Sequence, residues 1–301
     1  MKNMPRSNAD ARFVSSNVYR ATGYGAQHPL GIPRIGPVVD ICEMMGWFGS
    51  RGVVESTQAS RQQLLAFHDE EYIEALISAE KARMVSAEVR KKFHLGTMEN
   101  PVFPGLFERA SMSVGGSILA AELSLECLTA YHPAGGTHHG RPNRASGFCY
   151  FNDPVFAVLT YLEHGVDRVL YIDIDAHHGD GVQDAFSDDP RVFTISVHEE
   201  KRWPYTGELD DRGHGNARNL PVPSGFNDTE FQFLMAEAIM PTVQKFAPQA
   251  IVVTCGADAL RGDPLSRLEL SNGSLWSAVN QFVGMQVPTV ILGGGGYNPW
   301  T

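Results

Sequence analysis

The sequence RVLYIDIDAHHGDG, residues 168–181, changes character half way along, from an apolar run to a cluster of three carboxylates and two imidazoles. The run at 169–174 is nearly continuously apolar, which is typical of a strand covered by helices on both faces of a parallel sheet. Similar runs lie at 192–197, 250–254 and 287–292, each followed directly by polar or glycine-rich residues. Because sites in open α/β sheets form outside the carboxyl ends of the strands, we expect the chemistry at this edge.

Apolar residues at helical spacing mark several helices. Segments 58–92, 105–131 and 229–247 show this spacing, the last interrupted by Pro241. A further helix begins at Asn152, a capping residue followed two positions later by proline and then by an apolar stripe. The alternation of strands and helices predicts a doubly wound α/β fold, with a mostly parallel central sheet flanked by helices on both faces.

The composition is that of a globular protein. The 301 residues carry 24 Lys and Arg against 34 Asp and Glu, a net charge of −10, and 43% are hydrophobic. Glycine and proline are spread along the chain rather than pooled in a linker, which favours a single domain over residues 1–301. The negative balance disfavours nucleic acid as a partner and suits a cationic substrate.

The same sequence gives an expectation about location. No run approaches 18 apolar residues, and residues 1–17 lack the apolar core of a secretory signal, so we expect no membrane partner. The four cysteines have no CxxC spacing and are interpreted as free thiols of a reducing compartment. We therefore expect a cytoplasmic protein.

Asp175, His177 and Asp258 form a candidate metal site. Asp175 and His177 are two positions apart, so in an extended chain their side chains share one face and can meet one divalent ion. Asp258, at the mouth of another predicted strand, completes three protein ligands and leaves a position open, as in catalytic sites. An isolated Asp-x-Asp-x-His pattern is equally consistent with a solvated capping loop; Asp258 and the histidine pair described next favour the metal.

A histidine pair lies in the glycine-rich segment 135–140 (GGTHHG). His138 and His139 could supply a general base and a general acid, because the pKa of imidazole lies near neutrality. Asp173 and Asp180 are left over after metal binding and are the candidates to orient the two rings. A His-His doublet alone is more often an incidental feature of a loop.

Aromatic residues accompany these motifs. Tyr297 follows four glycines, 293–296, and its hydroxyl could donate to a developing oxyanion, although such a tyrosine commonly only packs. Phe148 lies in the segment 145–152, and Trp203 lies in a loop after a predicted strand. These two rings could face each other across a narrow channel.

The motifs together resemble the zinc-dependent histone deacetylase family, including the bacterial acetoin-utilisation proteins, within the arginase–deacetylase superfamily. The resemblance covers about residues 24–301, and its strongest blocks are GGTHHGRPNRASGFCYFND (135–153), RVLYIDIDAHHGDGVQDAF (168–186), CGADALRGDP (255–264) and LGGGGYN (292–298). It implies the arginase/deacetylase-like fold and hydrolysis of the acetyl amide of Nε-acetyl-lysine.

The resemblance also implies a role for each residue. Asp175, His177 and Asp258 would ligate Zn²⁺, with Fe²⁺ as the other possible metal. His139 would act as general base and then acid, with His138 as its electrostatic neighbour. Tyr297 would be a further catalytic residue, which hydrogen-bonds the carbonyl oxygen. The substrate-binding residues would be Gly147, whose backbone accepts the amide hydrogen, the channel walls Phe148 and Trp203, and Leu265 at the mouth.

Further implications concern potassium and an internal cavity. Members of the family bind a structural K⁺ near the zinc, here through Asp173, Ser196 Oγ and the backbone oxygens of Asp175, His177 and Val197. Arg34 matches an arginine beside an internal cavity. Trp203 stands where members usually have phenylalanine, and this substitution should narrow or reshape the channel.

Two departures from the family pattern are visible. The chain stops at Thr301, four residues after Tyr297, whereas relatives continue into further helices. Either the protein is truncated or its edge is completed differently, for example by a neighbouring subunit, which makes a homo-oligomer possible. The acidic residue that clamps the substrate backbone in eukaryotic relatives has no clear counterpart around residues 89–96.

Other functions stay open at this stage. The substrate is acetylated lysine in a protein or peptide, or alternatively an acetylated polyamine or another small cationic amide. Arginase-like hydrolysis needs two metals and more Asp ligands near Asp258, for which Asp263 is the only nearby supply. A different class of function is an inactive module that binds acetyl-lysine without cleaving it.

Overall fold

The computed structural model describes residues 11–21, 23–49 and 51–300. In this range, eight strands form one sheet in the order β2-β1-β3-β8-β7-β4-β5-β6, and every neighbouring pair is parallel. The fold class expected from the sequence is confirmed. The strands are β1 (Arg12–Ser15), β2 (Val54–Glu55), β3 (Thr129–His132), β4 (Val169–Asp173), β5 (Val192–Glu199), β6 (Ala217–Val222), β7 (Ala250–Thr254) and β8 (Thr289–Leu292).

Helices cover both faces of this sheet. They are α1 (Ile35–Met44), α2 (Arg61–Leu64), α3 (Glu70–Ala82), α4 (Ala87–Phe93), α5 (Leu106–Cys127), α6 (Asp153–Glu163), α7 (Asp180–Phe186), α8 (Asp228–Leu234), α9 (Met240–Phe246) and α10 (Asn272–Val283). In the described chain, no helix has both the length and the apolar character needed to cross a membrane.

Strand β4 shows how the two faces are built. Leu170 and Ile172 belong to the apolar cluster that includes residues of α8, α9 and α10, whereas Val169 and Tyr171 belong to the cluster of α5, α6 and α7. All four side chains are almost completely buried. Burying an aliphatic side chain of this size stabilises the fold by about 1.5–3 kcal/mol, and a strand buried on both faces therefore reads as one continuous apolar run.

Three helical predictions differ from the structure. The segment 58–92 holds three separate helices, α2, α3 and α4, with non-helical residues between them. The segment 105–131 was expected to be helical throughout, but α5 ends at Cys127 and β3 begins at Thr129. Leu128 between them has a φ of 71°, which no α-helix continues. The predicted helix at 229–247 is α8, a π-helical turn and α9, and Pro241 lies in the first turn of α9, where a missing N–H costs little.

Several shorter elements were not predicted. The strands β1 and β2 are four and two residues long, and β6 contains Pro221 and lies at the edge of the sheet, where proline is tolerated. The predicted cap at Asn152 is confirmed, because its side chain accepts a hydrogen bond from Val155 N at 3.3 Å. Residues 1–10 and Thr301, on which part of the expectations about the chain ends depended, lie outside the described residues.

Candidate active site

The site forms where the carboxyl ends of neighbouring strands meet. Asp175 follows β4, Asp258 follows β7 and Tyr297 follows β8, and these three strands are adjacent in the sheet. Ladder pairs set the strand ends level, with Asp173 opposite Thr254 and Thr254 opposite Leu292. Residues that are far apart in the chain therefore lie side by side.

Asp175, His177 and Asp258 form a compact donor set. Their ligand atoms all lie within 4.8 Å of one another. His177 Nδ1 is 3.1 Å from Asp175 Oδ1 and 3.0 Å from Asp258 Oδ2. Both aspartates are essentially unexposed, and His177 is 9% exposed. Within the described chain this is the one such group of three or more metal-ligating side chains.

The electrostatics of this set call for a positive charge. Burial, together with the charge of Asp175, raises the pKa of Asp258 to about 6. Burial alone would lower the pKa of His177, but the two carboxylates outweigh it and raise that pKa to about 10. Two carboxylates and an imidazole are ligands that zinc and ferrous iron accept. The donor set therefore fits a divalent transition metal, which would take the place of the His177 proton.

Glycines make room for these carboxylates. A Cβ added to Gly256 would lie 2.1 Å from Asp175 Oδ2, and one added to Gly295 would lie 2.1 Å from Asp258 Oδ2. The Gly295 N–H donates to Asp175 Oδ2 at 2.7 Å, which requires this close approach of the backbone. Part of the glycine enrichment after β7 and β8 is therefore explained by the space that the donor set occupies.

His138 and His139 lie beside the donor set, each paired with a different carboxylate. His138 Nδ1 is 2.6 Å from Asp173 Oδ2, and His139 Nδ1 is 2.7 Å from Asp180 Oδ1. The two ring centroids are 3.9 Å apart, and both rings are buried. The structure thus places each ring next to one of the two carboxylates that the sequence predicts to orient the histidines.

The two histidines have opposite pKa shifts. Burial opposes the charge of His138, but Asp173 and Asp175 outweigh it and raise its pKa to about 9. Burial and the neighbouring His138 lower the pKa of His139 to about 4. At neutral pH, His138 is therefore the charged ring and His139 the neutral one. A neutral ring whose Nδ1 faces a carboxylate has Nε2 free to accept a proton.

The loop that carries the histidines is held by the start of α6, which the sequence analysis did not anticipate. The Asn152 side-chain amide donates to the carbonyls of His138 and Gly140, at 3.1 and 2.9 Å. Asp153 accepts from the backbone N–H groups of Gly136 and Thr137, at 3.0 and 2.7 Å. Apart from the capping motif at Asn152, no pattern in the sequence predicts these four hydrogen bonds.

A pocket of about 520 Å³ leads from the surface to the donor set. Trp203 packs edge-on against His139 with ring centroids 4.6 Å apart, and Phe148 packs against Tyr297 at 5.7 Å. A Cβ added to Gly147 would lie only 2.4 Å from the Trp203 ring. The structure therefore brings the four residues expected to bind substrate, Gly147, Phe148, Trp203 and Leu265, to this one pocket, together with the expected catalytic residue Tyr297.

Two acidic residues near the pocket, Glu99 and Asp263, make contacts that the sequence does not predict. Glu99 lines the pocket and lies three residues beyond the segment 89–96, where the family pattern places an acidic clamp. Its Oε1 accepts a hydrogen bond from Gly147 N at 2.6 Å. Asp263 accepts from Leu265 N at 2.8 Å and from Tyr297 N at 2.7 Å. Asp263 therefore ties together two pocket segments rather than joining the donor set. Neither role is visible in the local sequence, because each depends on contacts between distant loops.

The residues expected around potassium lie on neighbouring strand ends. Asp173 ends β4 and is opposite Ser196 of β5 in the ladder, with Val197 next to it. Asp173 Oδ2 also accepts from Tyr171 OH at 2.6 Å. Arg34 donates to the carbonyls of Gly294 and Gly296, at 3.0 and 3.1 Å, and lines a second pocket of about 80 Å³.

Comparisons with known proteins agree with this geometry. Residues 28–301 match the model of the histone deacetylase domain. The chain is 38% identical to histone deacetylase RPD3 of Saccharomyces cerevisiae over 91% of its own length and 65% of the relative, so it spans less than two thirds of that protein. It is 34% identical to the acetoin utilization protein AcuC of Bacillus subtilis, over 97% of this chain and 78% of the relative. The crystal structure of a histone deacetylase homolog from Aquifex aeolicus superposes with a TM-score of 0.89 at 36% identity, covering 97% of this chain and 80% of that one.

Proposed function

This chain belongs to the histone deacetylase family of the arginase–deacetylase superfamily, and we propose that it is a metal-dependent hydrolase that removes the acetyl group from Nε-acetyl-lysine in proteins or peptides. One observation carries the proposal: a buried Asp-His-Asp donor set lies at the end of an aromatic pocket, next to two histidines that are each paired with a carboxylate.

Asp175, His177 and Asp258 would hold the metal, zinc or ferrous iron. A bound metal of this kind supplies Lewis acidity toward a carbonyl oxygen and toward water. Three protein ligands leave room for reactants, as expected of a catalytic rather than a structural site.

The remaining chemistry follows from the side chains of this protein. His139, neutral at pH 7 with Nε2 free, takes the proton of the attacking water. His138, paired with Asp173, is the electrostatic neighbour of His139. Tyr297 keeps its phenol proton, because burial and then the nearby carboxylates raise its pKa well above the usual value, and it donates to the developing oxyanion. His139 then returns the proton to the departing amine, so one water and one amide give acetate and a free amine.

The lining of the pocket suits the side chain of acetyl-lysine. The aromatic rings of Phe148 and Trp203 line the pocket and would pack against the methylenes of a lysine side chain, and Gly147 lines the same pocket. Acetylated polyamines are the second candidate substrate. The observation in their favour is Glu99, whose carboxylate at the pocket could pair with a further ammonium group of a polyamine.

Three further assignments belong to the same proposal. Asp173, Ser196 and Val197, with the backbone oxygens of Asp175 and His177, would bind the structural K⁺. The deacetylase domain would be a single unit over residues 1–301. The protein would act in the cytoplasm, as a monomer or as a homo-oligomer.

The test is hydrolysis of two substrates at equal metal loading. An acetyl-lysine peptide and acetylputrescine are offered to the protein loaded with zinc or ferrous iron, with and without a chelator, and acetate release is measured. We expect turnover that the chelator abolishes, with the peptide preferred. Preference for acetylputrescine would select the second candidate.

Matched variants separate catalysis from binding. His139→Ala should abolish acetate release, whereas His214→Ala, a histidine with a 72% exposed side chain, should leave it unchanged. Binding of the peptide without any acetate release by the metal-loaded protein would contradict the proposal and favour an inactive binding module. Two transition metals per chain would argue for the arginase-like alternative.

A further inference from the structure

Arg141 lies behind the His139–Asp180 pair and is not used by the chemistry described so far. Its guanidinium forms ion pairs with Asp180 through Nη2 and with Asp184 through Nη1. The Arg141 side chain is 15% exposed and Asp180 is 5% exposed, whereas Asp184 is 64% exposed. The ion pair with Asp180 is therefore sheltered from solvent, and the pair with Asp184 is at the surface.

The two oxygens of Asp180 have different partners. Oδ1 accepts from Gly181 N at 2.9 Å and lies 2.7 Å from His139 Nδ1, and Oδ2 contacts Arg141. Without the guanidinium, Oδ2 would be a buried charged oxygen with its ion-pair partner lost. Such an oxygen is costly, and the carboxylate would rotate to recover a partner. The rotation would move Oδ1 away from His139.

Arg141 is itself fixed by its backbone. Its carbonyl accepts from His68 Nδ1 at 3.0 Å, and its N–H donates to Arg144 O at 3.1 Å. In the described chain, the residues lining the substrate pocket do not include Arg141. Arg141 is therefore not expected to touch the substrate, and its guanidinium reaches the site through Asp180.

We propose that Arg141 is a positioning residue, which holds the Asp180 carboxylate in the orientation in which Oδ1 accepts the Nδ1 proton of His139. The expected effect of Arg141 on kcat rests on the proposed function. The orientation of the Asp180 carboxylate by Arg141 does not. A planar guanidinium suits the task because it meets two carboxylates with fixed donor directions.

The test compares three full-length variants loaded with the same metal. Arg141→Met keeps most of the side-chain length and removes the charge, Arg141→Lys keeps the charge, and Arg144→Met removes the same charge from the same loop, where the guanidinium contacts Asn143. We expect Arg141→Met to lower kcat about 10- to 100-fold, the usual cost of losing a partner of a site residue. KM and metal content should stay unchanged, Arg141→Lys should recover much of kcat, and Arg144→Met should match wild type.

A second readout does not depend on turnover. In ¹H–¹⁵N spectra of the imidazoles, the Nδ1 proton of His139 should give a downfield resonance in wild type and Arg144→Met that is shifted or broadened in Arg141→Met. An unchanged resonance and kcat in Arg141→Met would overturn the inference, as would a loss of kcat that follows loss of metal. If wild type releases no acetate from any substrate, the proposed function fails, and the resonance alone decides the role of Arg141.

Discussion

Gly256→Ala tests whether the donor set needs the space that this glycine leaves. Gly256 has φ −71° and ψ 126°, a conformation that alanine adopts freely, so the substitution adds no backbone strain. The new Cβ would lie 2.1 Å from Asp175 Oδ2 and 2.6 Å from Asp258 Oδ1. Ordinary contacts begin at 3.4 Å, so the Asp175 oxygen must retreat by the difference of 3.4 and 2.1, about 1.3 Å.

That displacement is large for a metal ligand. Metal–ligand distances at a well-formed site vary by only about 0.2 Å. Asp175 would also lose the hydrogen bond from Gly295 N, which now fixes Oδ2 at 2.7 Å. We therefore expect the affinity for zinc to fall by about 100-fold or more, the upper end of the cost of disturbing ligand positions. Competition with a chromophoric chelator measures this affinity.

Two further variants make the result decisive. Gly25→Ala is the control, because a Cβ there has nothing within 4 Å. Gly295→Ala approaches the set from the other side, with a Cβ 2.1 Å from Asp258 Oδ2, and should weaken zinc binding similarly. Circular dichroism and thermal unfolding of the chelated proteins show whether each variant folds. A folded Gly256→Ala protein with wild-type zinc affinity would refute the reasoning.

Three other outcomes are expected. Tyr297→Phe should lower kcat by about 10²- to 10³-fold through loss of one oxyanion donor while metal content is retained; steady-state kinetics with metal analysis checks this, and an unchanged kcat would exclude the hydroxyl from the reaction. Zinc binding at pH 7 should release about one proton per chain, because His177, with its pKa raised to about 10, must be neutral to ligate; calorimetry in two buffers of different ionisation enthalpy would contradict this if no proton were released. Burial lowers the pKa of His68 to about 3 from 6.5, so this histidine favours the folded state above pH 6.5 and loses that contribution as the pH falls. Between about pH 6 and pH 4, the free energy of unfolding measured with urea should therefore fall by about 1.4 kcal/mol per pH unit more for wild type than for His68→Gln. Parallel slopes would show that His68 is protonated in the folded protein.

The sequence predicted the central strands well because burial on both faces leaves a strong mark. The segment 250–254 has no polar residue until Thr254, and the structure reproduces its bounds. The edges left no such mark: β2 is two residues long, and β6 includes Asn219 and Pro221. The strand β3 was hidden because it follows α5 after a single residue, and a short apolar run next to a helix fits either period.

The residues of the site likewise divide into those that the sequence predicts and those that it does not. Asp175, His177 and Asp258 could be found because each follows a recognisable strand, and parallel strands bring their carboxyl ends together. The contacts of Glu99, Asp263 and Arg141 could not be predicted, although Asp263 had been considered as a further metal ligand. Their contacts cross between loops that no periodicity relates, so the local sequence does not show which residues they meet.

The site and the fold depend on each other through backbone hydrogen bonds. Asp258 Oδ1 accepts from Ala176 N at 3.0 Å, so the loop after β4 is bound to the ligand after β7. Asp175 Oδ2 accepts from Gly295 N, which binds the loop after β8 to the ligand after β4. Each carboxylate therefore uses one oxygen to join two neighbouring loops, while His177 Nδ1 lies near the other oxygen of each. These hydrogen bonds fasten the three loops to one another, and the register of β4, β7 and β8 sets where each loop begins. A metal would therefore bind donors that the sheet and these hydrogen bonds already hold in place.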